Sequence, residues 1–149
     1  MRALITTSLT LALLSFSAVS SSQPVAADAP AARAGTFNQI EGEAWVGATT
    51  DRRAAVSGDG VQANQRISTG KTGAATITLK DGTVLTLGPN STMDLSKFDF
   101  NPTTREGDLL LDLLQGSVRV VTGLLGKANP ENVKVKTPTS VVGVRGTDF

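Results

Sequence analysis

The 149-residue chain has no cysteine, no histidine, no tyrosine and a single tryptophan. Without cysteine there are no disulfides, no thiol chemistry and no lipid attached through an N-terminal cysteine. Without histidine, His-based triads and the common zinc sites are excluded. Charge of one sign is lacking too: 14 basic residues face 13 acidic ones. A chain so balanced has no general attraction to nucleic acid or to anionic lipid. A membrane-spanning run is also missing, since a span needs about 20 mainly apolar residues. The longest apolar stretch, Leu4 to Ala18, is shorter and carries Ser and Thr.

That stretch reads as an export signal. Arg2 supplies the positive n-region, Leu4 to Ala18 the apolar h-region, and Val25-Ala26-Ala27 a small-x-small cleavage pattern. Cleavage before Asp28 is expected, with a cut after Ser20 as the alternative and an uncleaved anchor as the competing reading. Arg2 is the only charged residue removed, so the mature chain, 28–149, is neutral. No membrane span follows, and a periplasmic or secreted location is expected. Residues 28–36, small and carrying Pro and Gly, read as a flexible lead-in.

From Phe37 onward, glycines and turn residues recur at short intervals and no long segment has helical periodicity. This predicts one all-β domain over 37–149. The first strand is expected over Phe37 to Val46, with Trp45 filling the core, and a weaker strand over Val61 to Ile67. Ala75, Ile77 and Leu79 alternate with polar residues, and Leu85 and Leu87 resume the pattern after Asp81-Gly82. A two-residue turn would set Ile77 opposite Thr86 and mix the faces. A three-residue loop, Lys80-Asp81-Gly82, sets Ile77 opposite Leu85 and Ala75 opposite Leu87, keeping one apolar face. The three-residue loop is therefore predicted, with Gly82 in the left-handed position. Farther on, Met93 and Leu95 suggest a short strand, Lys97 to Asp108 a polar hairpin tip, and Leu109 to Leu114 a buried strand. Ser117 to Thr122 reads as a Val-rich strand. One helical turn follows, capped by Thr122 and ended by Asn129-Pro130. Val133-Lys134-Val135-Lys136 alternates with its valines inward.

Four pieces, in order, resemble the FecR domain of bacterial envelope proteins. They are Arg66 to Gly70, Ala74 to Ser91, Leu114 to Val120, and the tail from Thr137-Pro138 to Thr147-Asp148. The resemblance spans about residues 40–149. It implies an all-β, elongated, solenoid-like or sandwich-like stack of short strands in the periplasm. In the regulators that name the family, this domain follows a transmembrane segment and a cytoplasmic anti-sigma region, and takes its signal from an iron-siderophore receptor. Here the export signal at residue 1 leaves no room for a cytoplasmic region, so an anti-sigma role in cis is not expected. The stop at Phe149 implies a truncated product or an unfinished edge strand, and open edges pair with other chains. The family-motif residues Asp81, Gly82, Gly88, Gly116, Thr137, Pro138, Gly143, Arg145, Gly146, Thr147 and Asp148 are read as structural.

No catalytic, cofactor-binding or metal-ligating residue is expected. Arg145-Gly146-Thr147-Asp148 departs from adhesive Arg-Gly-Asp loops by the inserted Thr147, and its glycines suit bends. Asp99, Asn101, Thr103, Glu106 and Asp108 form an oxygen-rich loop, but an EF-hand register from Asp99 puts Thr104 and Leu110 where Gly and Glu are needed. Ser140 with Lys136 could form a nucleophile pair, yet valines follow Ser140 and no elbow surrounds it. The expectation is a module that binds an envelope protein or glycan by contact. Signalling in trans, related to iron-siderophore regulation, is the alternative; a hydrolase of envelope polymers comes third.

Overall fold

Period-two alternation builds the core of this protein. In a computed structural model, residues 32–47 and 50–143 are described. The export-signal residues and Arg145 to Asp148 lie outside them. The strands are β1 (Arg33–Glu41), β2 (Ala44–Val46), β3 (Arg53–Ala54), β4 (Gly60–Gln62), β5 (Gln65–Thr69) and β6 (Ala74–Leu79). They continue as β7 (Val84–Leu87), β8 (Thr92–Phe100), β9 (Gly107–Gln115) and β10 (Val118–Val121). After one short helix, α1 (Leu124–Ala128), and a 3-10 turn over Pro130–Asn132 come β11 (Val133–Lys136) and β12 (Val141–Gly143). With 55% of the described residues in strands and 7% in helix, the protein is mostly β.

The strands form two open sheets. One has the order β10-β7-β6-β1-β4, the other β12-β11-β9-β8-β5-β2-β3. Phe37, Val61, Ile77, Leu85, Leu87 and Val120 from the first and Ile67, Met93, Leu95, Leu109, Leu111 and Val133 from the second belong to one buried cluster. Neighbours pair antiparallel except β11, which lies parallel to β9.

The β6–β7 hairpin has the predicted register, Ile77 opposite Leu85 and Ala75 opposite Leu87. The Leu79 N–H donates to the Thr83 carbonyl at 2.8 Å and the Gly82 N–H to the Leu79 carbonyl at 3.0 Å, enclosing Lys80-Asp81-Gly82. Gly82 has φ +84°, the left-handed value that a type I turn with a bulge requires. The alternating β11 is also as predicted, its valines buried and its lysines exposed.

Elsewhere the chain departs from expectation, chiefly by changing sheets. The expected strand over Phe37 to Val46 is two strands in different sheets, broken at Gly42 and Glu43. The expected strand over Val61 to Ile67 divides likewise at Ala63-Asn64. Positive φ marks these corners: Gly42, Gly58, Asn64, Asn90 and Gly116 each lie where the chain leaves one sheet for the other. Strand β1 begins at Arg33, inside the expected lead-in, because Ala34 is buried and Gly35 and Thr36 pair with both β4 and β6. The expected tip from Lys97 to Asp108 is shorter: β8 runs to Phe100 and β9 starts at Gly107, with Phe98 and Phe100 packed against the core. Helix α1 is capped by Gly123, without a side-chain bond. Thr122, the expected cap, lies one residue earlier, buried and with its side chain beside Gly126.

Short strand β3 is tied to the turn before β4 by a carboxylate. Asp59 accepts from the Arg53 guanidinium at 2.5 Å and from the Val56 N–H at 3.2 Å. Those two donors, the guanidinium first, hold its carboxyl below the ordinary carboxylate range. A carboxyl lowered on folding stabilises the fold above its unfolded pKa, and that contribution disappears as pH falls through its folded pKa. A carbon-detected NMR titration of Asp59 is therefore expected to show a midpoint below that of an exposed aspartate, moving back toward it in Arg53→Ala.

Candidate functional site

Two polar clusters involve four of the family-motif residues, Asp81, Gly82, Gly88 and Gly116. Asp81 is buried and accepts from the Thr83 N–H at 3.0 Å and the Thr83 hydroxyl at 2.6 Å. The Thr83 hydroxyl oxygen in turn accepts from the Gly123 N–H at 3.0 Å, and the Asp81 carbonyl from the Leu124 N–H at 2.8 Å. The hairpin loop thus fixes the start of α1. In the second cluster, the Thr69 hydroxyl donates to the Gly88 carbonyl at 2.7 Å, and the Ser91 hydroxyl to the Ser117 carbonyl at 3.1 Å. Gly116, with φ +82°, brings its Cα against Ser91, where an added Cβ would lie 2.6 Å from the Ser91 Cα. These turns lock three sheet crossings together.

The second sheet ends in an edge that the chain reaches by a different route. Helix α1 and the 3-10 turn carry the chain from β10 back across to β11. Leu125 is buried, and the Asn132 amide donates to the Gly107 carbonyl at 2.9 Å. This places Val133 opposite Leu109 and Lys136 opposite Asp112 in the parallel β9–β11 pair. Thr137-Pro138-Thr139-Ser140 then turns the chain into β12. The Thr137 N–H donates to the Ser140 carbonyl at 2.7 Å, and the Ser140 N–H to the Thr137 hydroxyl oxygen at 3.1 Å. Pro138 occupies a turn position that needs no donor.

Among the described residues β12 is the edge of its sheet. Thr137 and Ser140 are a hydrogen-bonded pair, and such pairs alternate along an antiparallel ladder. The next is Val135 with Val142, which leaves Val141 and Gly143, in register with Lys136 and Lys134, turning their backbone N–H and C=O away from β11. Val141 is 61% exposed and Leu114 42% exposed. Both border a cleft of about 530 Å³ with Asp112, Leu113, Lys136 and the 137–140 turn.

Behind this edge the outer face of the sheet carries a rail of charge. Arg66 on β5 holds Asp94 on β8 in a two-pronged pair, Nε to Oδ1 at 2.6 Å and Nη2 to Oδ2 at 2.7 Å, which raises the guanidinium's pKa. Asp94 is in register with Asp112 on β9, and Asp112 accepts from the Ser96 hydroxyl. The exposed pair Lys97–Asp108, at 2.7 Å, raises the lysine's pKa.

The remaining candidates are not assembled into sites. The Ser140 hydroxyl is within 2.9 Å of the Thr137 hydroxyl, and no bond joins it to Lys136 among those described. In the oxygen-rich loop, the Asn101 side chain accepts from the Thr103 and Thr104 N–H groups at 2.9 and 3.3 Å, and Asp108 is engaged by Lys97. No group of three or more acidic residues placed to hold a metal ion occurs among the described residues. Trp45, expected in the core, is half-buried on the outer face, with the Arg52 guanidinium 4.9 Å from its ring centroid. The β1–β2 break explains this. Ala44 and Val46 take the inward positions of β2, and the alternation turns Trp45 out.

The family model described as FecR protein matches residues 65–149, more than half of the chain. The chain belongs to the FecR family. The match runs from the first residue of β5 to the end of the sequence and takes in both polar clusters and the β11–β12 hairpin. FecR proteins are regulatory and signalling-related. No curated protein and no solved structure matches the chain.

Proposed function

We propose that this protein is a non-catalytic periplasmic FecR-domain module that binds an envelope protein by adding that partner's strand to the edge of β12. The observation that carries this reading is the edge itself: Val141 and Gly143 turn backbone donors and acceptors away from β11, unpaired among the described residues, beside an exposed apolar cleft. Main-chain bonds supply affinity in such strand addition, and neighbouring pockets supply selectivity. The export-signal pattern at residues 1–27 supports the periplasmic location. Family membership favours a partner in a signalling path, reached in trans. A glycan that stacked on the single tryptophan would meet Arg52 over one face of the half-buried Trp45 ring.

Val141→Pro tests the reading. Its N–H points away from β11, so proline there removes an outward donor without breaking the hairpin. Used as bait against envelope extract, the parent protein is expected to retain a discrete protein that Val141→Pro loses, with melting temperatures unchanged within error. Equal retention by both would contradict it.

A further inference from the structure

The partner's chemistry can be specified further, resting on the reading of β12 as the contact edge. Cross-strand pairs share a face, so Lys134 and Lys136 lie on the same side as Gly143 and Val141. The two lysines differ in their other neighbour. Lys136 faces Asp112 across the β9–β11 pair, whereas Lys134 faces Leu110. Lys136 therefore has a carboxylate beside it, and among the described residues Lys134 has none in register. Lys134 is exposed, and the position between it and an added strand is Gly143, around which a Cβ would meet nothing within 4 Å.

We propose that the strand recognised by β12 carries an apolar side chain opposite Val141 and an acidic side chain two positions away, opposite Gly143. An added strand lies about 10 Å from β11, two strand spacings away. The Lys134 stem and a glutamate or aspartate side chain span that gap over the bare Gly143 backbone. At Val141 the side chain blocks such a bridge, and the exposed surface of Val141, Leu114 and the cleft receives an apolar group instead. The occupant is taken to be a different protein, because the described residues of β12, Val-Val-Gly, paired with a second copy of themselves would set no acid against Lys134.

The test uses fluorescein-labelled, threonine-rich peptides of about eight residues. Each has one valine and, two positions on, glutamate, lysine or glutamine. Fluorescence anisotropy with the full chain is expected to rank the glutamate peptide first. Lys134→Glu, an exposed substitution, is expected to weaken that peptide roughly five- to tenfold and to strengthen the lysine peptide. Gly143→Val is expected to erase the preference for glutamate while peptides still bind. Equal binding of all three peptides, unaltered by Lys134→Glu, would overturn the acidic specificity and leave the edge reading standing. No binding by any peptide would overturn both. A dimer in sedimentation that Val141→Pro dissolves would name a second copy as the occupant and also overturn the proposal.

Discussion

Phe37→Ala is expected to remove about 3–5 kcal/mol of stability, the cost of emptying a large buried aromatic site. Phe37 is 0% exposed. It sits on β1, the strand that pairs with both β4 and β6, beside the irregularity where register shifts between Phe37 and Gln39. Its backbone is fixed as well: the Phe37 N–H donates to the Asp59 carbonyl at 2.9 Å and its carbonyl accepts from the Gly58 N–H at 2.7 Å. A site held so firmly cannot collapse around a cavity, which places the loss at the upper end of the range. Denaturation in urea is expected to show it, with a melting temperature lowered by roughly 10–20 °C. Phe98→Ala, at a position only partly buried, should cost less.

The second large effect is expected at Asp81→Ala, about 2–4 kcal/mol. The carboxylate satisfies two donors of Thr83, itself 0% exposed. Removing it strands a buried N–H, and a buried donor without an acceptor costs about 1–3 kcal/mol. The freed hydroxyl of Thr83 would also lose its fixed orientation toward Gly123, loosening the start of α1. Asp81→Asn keeps one acceptor oxygen and should lose about half as much. If Asp81→Ala unfolds at the same urea concentration as the parent, the clamp between hairpin loop and helix is not stabilising.

These two sites show what the sequence could and could not convey. The β6–β7 hairpin was legible because only one loop length keeps Ile77, Leu85, Ala75 and Leu87 on one face, and Asp81-Gly82 supplies the turn that length needs. The lysine–valine alternation of β11 was legible for the same reason. Strand partners were not. Periodicity says that Val133 and Leu109 point inward, but nothing in it sets them side by side in parallel. Sheet changes were also hidden, since a strand that crosses between sheets keeps its alternation through one left-handed residue. The signal was present at Gly42 and Asn64, within runs read as continuous. Missing the first of these put Trp45 in the core, whereas it lies under Arg52 on the outer face. The charge rail from Arg66 through Asp94 to Asp112 joins residues far apart in the chain and emerges only from the strand order.

The open edge is tested most directly by amide hydrogen exchange in the purified protein alone. The amides of Val141 and Gly143 are expected to exchange nearly as fast as unstructured ones. Those of Val135 and Val142, paired across the hairpin, are expected to be protected. Protection of Val141 equal to that of Val142 would mean that the edge is already covered, and would contradict a role for it in recruiting a partner.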